Sequence, residues 1–70
     1  MAEWFTQKEQ GGFPVERAVV GYYDLSVLYA GGEWQWLIQR EGRDVAEGGA
    51  RSSLAARLQA EATARRLILG

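Results

Sequence analysis

Apolar and polar residues alternate through the middle of the chain, then switch to a helical spacing near its end. Tyr23, Leu25, Val27 and Tyr29 stand at every second position, separated by Asp24, Ser26 and Leu28. Period-two alternation marks a strand with one side buried. The wider stretch 18–30, AVVGYYDLSVLYA, is rich in β-branched and aromatic residues, which suit a pleated surface. Within it, Gly21 reads as a bulge or a point of close approach. Gly31-Gly32 then forms a two-residue hairpin loop, because glycine tolerates the positive φ that such loops need. That loop sets a register. Tyr29 faces Trp34, Val27 faces Trp36, and Leu25 faces Ile38. Cross-strand partners share a face, so these six lie together. The other face pairs Leu28 with Gln35, Ser26 with Leu37, and Asp24 with Gln39. A slip of one residue would scatter the apolar set.

Glu41-Gly42 marks a second tight turn. Asp44–Glu47 reads as a short third strand with Val45 opposite Ile38, and Gly48-Gly49 as its end. Residues 52–69 carry the clearest helix. Ser52 or Ser53 caps its start by accepting a backbone N–H bond. Leu54, Ala55, Leu58, Ala62 and Leu69 make the stripe expected to face the sheet. Arg65 and Arg66 suit the negative end of the helix dipole. Residues 1–14 read as a loosely ordered arm, because the residue before Pro14 is pushed toward extended geometry. Glu3–Lys8 in that arm can add an edge strand. The expected architecture is α+β in a single domain, 1–70. It has a three-stranded antiparallel meander over 17–48, room for a fourth N-terminal strand, and one C-terminal helix packed on one face.

Composition narrows the chemistry. Seventy residues make one domain at most. The chain has no cysteine and no histidine, so disulfides, soft metal ligands and Ser-His or Cys-His nucleophile pairs are out of reach. Lys8 is the single lysine and sits in the arm, a poor place for Schiff-base chemistry. Glu41, Asp44 and Glu47 match no calcium-loop spacing and read as a solvated turn. The double glycines lack the companions of a phosphate-binding loop. No enzyme activity, cofactor or metal is expected. The net charge of −1 gives no general pull toward nucleic acid or anionic membranes. The first ten residues lack the pattern of a signal peptide, and no apolar run approaches the roughly 20 residues that span a bilayer. A cytoplasmic location is the expectation.

Trp34 and Trp36 can be read as base-stacking platforms or as core. The core is favoured, because both share a face with Tyr29, Val27, Leu25 and Ile38, and that whole face left bare would be a large apolar patch. One helix cannot cover both sides of a sheet, so the second face matters for function. It is expected to carry Tyr22, Leu28 and Leu37, with Trp4-Phe5 of this chain or of a twin packed there. These five residues form the predicted partner interface. The function expected is a small non-enzymatic domain that works by protein–protein contact and self-associates, with a homodimer as the simplest form. The alternative is a nucleic-acid-binding accessory domain that uses Arg40, Arg43, Arg51 and Arg57 of the second turn and the helix, with Arg65 and Arg66 further along.

The run GGEWQWLIQREGRDVAEGGARSSLAARLQAEATARR resembles small bacterial domains of unknown function such as the YegP-like proteins. It is also similar to the three-stranded, one-helix DNA-binding domain at the N-terminus of tyrosine integrases. The likeness covers about half the chain and rests on W-x-W-x-I, two glycine turns and a serine-started helix. It implies a β-β-β-α fold. Integrase-type domains are basic and this chain is not, so no functional residue carries over.

Overall fold

The computed structural model describes residues 2–8 and 14–70. Among these residues, five strands and one helix follow in chain order: β1 (Phe5–Lys8), β2 (Pro14–Val20), β3 (Tyr23–Ala30), β4 (Glu33–Arg40), β5 (Arg43–Ala50) and α1 (Ser53–Leu69). The strands form one antiparallel meander in the order β1-β2-β3-β4-β5. The α+β class and the single C-terminal helix are as expected, but the sheet has five strands rather than three or four.

The miscount has a local cause. Gly21 is a turn residue rather than a bulge, and it is a point of close approach, as expected: a Cβ there would lie 2.9 Å from the Ile68 side chain. Gly21-Tyr22 is a hairpin loop flanked by the pair Val20–Tyr23, and Gly21 takes φ 61°. The stretch 18–30 is therefore two strands folded back on each other. Its trace is a phase change: Ala18 and Val20 share a face with Tyr23 and Leu25, so the inward positions switch from even to odd across the loop. The N-terminal arm then gains a partner. Phe5–Lys8 pairs with Pro14–Arg17, which makes this part of the arm an edge strand. Residue 1 and residues 9–13 of the predicted loose arm lie outside the described residues.

The central hairpin follows the sequence pattern throughout. Leu25–Ile38, Val27–Trp36, Tyr29–Trp34, Asp24–Gln39, Ser26–Leu37 and Leu28–Gln35 are all paired. Gly31 and Gly32 take φ 63° and 84°, the left-handed pair that a right-twisted hairpin requires. The next hairpin departs from expectation. β5 runs eight residues, not four, and a bulge between Ile38 and Gln39 places Ala46, not Val45, opposite Ile38. Val45 is turned out to solvent as a result. Gly48 and Gly49 lie inside the strand. The Trp36 indole occupies the place a side chain on Gly48 would take, since a Cβ there would lie 2.6 Å from the ring. The glycine makes room for the tryptophan across the ladder, and the ring covers the bare backbone in return.

The helix lies over the sheet with an unexpected side down. Ser52 caps it, accepting from the Ala55 amide at 3.0 Å. Its buried residues are Ala56, Ala60, Glu61 and Ala64. The predicted stripe is on the other side: Leu54 is 62% exposed, Leu58 48% and Leu69 87%. The physical reason is bulk. Tyr23, Leu25, Val27, Trp36 and Ile38 already fill the space above the sheet. A helix with leucines on its inner side would be held off, whereas alanines at i, i+4, i+8 let it settle close. Trp36 is buried beneath it and donates its indole N–H to Gln59 at 3.0 Å. Trp34 is half-buried and meets exposed Tyr29 edge-on, with ring centres 5.3 Å apart. Both indoles thus lie on the helix side, as expected, but only Trp36 is buried.

Candidate functional site

The sheet face away from the helix is assembled from alternate residues of each strand. One cross-strand row runs Phe5, Arg17, Ser26, Leu37, Glu47, and a second runs Val19, Asp24, Gln39, Asp44. Leu28 and Gln35 pair in the next row, with Gly49 beyond them. No described helix or strand lies over these rows. Leu28 and Leu37 are half-buried by their neighbours, and Val15 and Ser26 are buried. Arg17 donates to the Ser26 hydroxyl at 3.1 Å. Gln39 donates to Asp44 at 2.8 Å, which ties β4 to the bulged end of β5.

A shallow groove of about 430 Å³ opens on the β3–β5 half of this face. Leu28 and Leu37 form its apolar floor, and the carboxylates of Glu33, Asp44 and Glu47 stand at its walls. Glu33 leans across Gly49, where an added Cβ would meet its carboxylate at 2.9 Å. The groove therefore combines apolar burial with a surplus of negative charge. Such a surface attracts a cationic, partly apolar partner by burial and by charge.

The five predicted interface residues divide. Phe5, Leu28 and Leu37 share the open face. Tyr22 does not. It sits in the Gly21-Tyr22 loop, 84% exposed, with the Arg40 guanidinium 5.9 Å above its ring. Trp4 does not either. It packs on the helix side, against the core, and donates its indole N–H to Glu61 at 2.6 Å. The Trp4 ring also lies 5.7 Å from the Arg57 guanidinium. The expectation that Trp4 and Phe5 act together on the second face fails for a simple reason: adjacent strand residues point to opposite sides.

Glu61 is the residue that the sequence pattern hid. It sits on the inner stripe of the helix at 2% exposure. It accepts from Trp4, from the Ala2 amide at 3.4 Å, and from Arg65 at 3.1 Å. Burial pushes its carboxyl up. The Trp4 and Ala2 hydrogen bonds and the Arg65 charge outweigh that and hold it below its ordinary value of 4.5. Its role is a clasp: it fastens the N-terminal arm to the helix. The signal was present as one acid on an otherwise small-residue stripe, Ala56, Ala60 and Ala64.

The arginines proposed for nucleic acid are not gathered. Arg40 and Arg43 face each other across the β4–β5 turn. Arg51 follows the far end of β5, about 25 Å along the strand by the usual rise per residue. Arg57 is engaged with Glu16 and Trp4 on the helix side. Among the described residues, no group of three or more His, Cys, Asp or Glu is placed to hold a metal ion, and Glu41, Asp44 and Glu47 do not converge into one. No helix among the described residues is long and apolar enough to cross a membrane.

Comparison with protein-family models, with curated proteins and with solved structures finds no match. The functional argument therefore rests on the residues of this chain.

Proposed function

We propose that this chain is a small non-catalytic domain that works by protein–protein contact and self-associates, with the open sheet face as its contact surface. The observation that carries the reading is the groove floored by Leu28 and Leu37 on a face that no described element covers. Two features support it further. The domain is small, and a chain of this size gains stability from burying a second surface. The chain also lacks His and Cys, the residues most often used for nucleophilic and acid–base catalysis.

Sedimentation equilibrium from low to high micromolar concentration tests the reading. The chain is expected to associate, and Leu37→Lys is expected to weaken association at least tenfold, about 1.4 kcal/mol or more. Leu37 is half-buried on the open face, so circular dichroism and the melting curve of the variant establish that it still folds. A strict monomer at the highest concentration, or association indifferent to Leu37→Lys, overturns the proposal. The dispersed arginines favour no nucleic-acid reading over this one.

A further inference from the structure

The outer side of the helix and the open side of the sheet both carry apolar surface and differ in the sign of their charge. On the covered face the sheet supplies the bulk, through Leu25, Trp36 and Ile38, and the helix supplies alanines. On the open face the sheet supplies Ser26, Leu28, Gln35 and Leu37, with the two leucines only half-buried. The outer helix supplies leucines: Leu54, Leu58 and Leu69 lie along one exposed stripe with Ala62 between them. The exposed helix leucines and the half-buried Leu28 and Leu37 are apolar surfaces that gain by burying one another.

Charge runs the same way. The open face carries Asp24, Glu33, Asp44 and Glu47, all exposed, against half-buried Arg17. The exposed charges of the helix are Arg65 and Arg66, with Arg51 just before its cap. Its one acid, Glu61, is turned inward and spent on Trp4, Ala2 and Arg65. The helix therefore offers cations and leucines outward, and the groove offers carboxylates and leucines.

We propose that the open sheet face receives the outer helix face of a second copy of this chain. The contact lays Leu54 and Leu58 of one helix over Leu28 and Leu37 of the next copy, with Arg66 toward Asp44 and Glu47, while Arg65 keeps its own partner Glu61. The inference rests on the self-association proposed above and names the partner surface for it. Helix and open face lie on opposite sides of the molecule, so the contact is heterologous. Copies stack head to tail, each sheet enclosed between its own helix and its neighbour's. Such a contact continues until a ring closes, or runs on as a filament. Added salt weakens it, because exposed charges are screened beyond about 10 Å at 0.1 M ionic strength.

Two variants and their mixture test the inference. Leu58→Glu disables the outer helix and leaves the groove intact. Leu58 is 48% exposed and points away from the core, so the fold survives, as circular dichroism will verify. Leu37→Lys disables the groove and leaves the helix intact. The unmodified chain is expected to grow past the dimer as concentration rises. Each variant alone is expected to be monomeric at concentrations where the unmodified chain assembles. Mixed in equal amounts, the two are expected to form a one-to-one heterodimer that grows no further. If Leu37→Lys abolishes association while Leu58→Glu leaves it intact and stops at a dimer, the open face meets its own kind; the head-to-tail contact is then overturned while the broader reading stands. If the unmodified chain is a monomer throughout, both fall.

Discussion

The two faces of this sheet use the same alternation of residues to opposite ends. On the helix side, Leu25, Val27 and Ile38 are sealed from solvent, and three alanines of the helix rest on them. On the other side, Leu28 and Leu37 are only half-buried and stand among Ser26, Gln35, Asp44 and Glu47. The first face is specified by fit, so a change of one methyl group is felt. The second is held less tightly, and substitutions there are expected to cost the fold less. One helix does not seal both faces of a five-stranded sheet, and the face it leaves open is the contact surface proposed above.

If that contrast is right, the effects of substitution fall in order. Ile38→Ala or Leu25→Ala removes a side chain that is fully enclosed and is expected to cost about 2–5 kcal/mol. In a domain this small that loss leaves much of the chain unfolded at 37 °C, which a denaturant titration followed by tryptophan fluorescence will read. Gly48→Ala is next. Its methyl group would stand 2.6 Å from the Trp36 ring, so the indole must shift, at an expected cost of about 1–3 kcal/mol. An unchanged melting temperature would mean that the ring has room which the structure does not show.

Glu61→Leu strips the acceptor from Trp4 and Ala2 and is expected to cost about 1–3 kcal/mol, with a red shift of Trp4 emission as the arm loosens. Acid should reproduce part of this. The carboxyl is held below 4.5 in the folded chain, so the unfolded chain takes up the proton first as pH falls. Its stabilising contribution is complete above the ordinary carboxylate range and is lost as pH drops through its lowered value. A melting curve series at falling pH should show a loss in the unmodified chain that Glu61→Gln lacks in part. On the outer surface the expectation reverses. Leu54→Ala, at a site 62% exposed, should change monomer stability by less than about 0.5 kcal/mol while weakening association. A large loss of stability there would mean that the outer stripe is packed after all.

The element most legible in the chain was the Gly31-Gly32 hairpin. Its loop, register and faces all followed from two glycines and period-two alternation, because local sterics and the pleat are short-range properties. The serine cap was legible for the same reason. The Gly21-Tyr22 turn was missed because hydrophobic aromatic residues surround it and mask the phase change at Val20–Tyr23. The extent of β5 was missed because glycine weakens a strand in isolation, and only the Trp36 ring across the ladder makes Gly48 useful there. The candidate site was half legible: alternation placed Phe5, Leu28 and Leu37 on one side, but it could not tell that Trp4 turns to Glu61 or that Tyr22 lies in a loop.

The chain alone thus determined its class, its central register, the serine cap at the start of its helix, and its lack of histidine and cysteine. Which side of the helix faces inward was decided only when the sheet was in place. The leucine stripe is the more hydrophobic choice and would win for an isolated amphipathic helix. Against a sheet already filled by Trp36, Ile38 and Leu25 the limiting quantity is distance of approach, and alanine permits the closer one. Close packing across that layer, a property of two surfaces rather than of either, turned the leucines outward.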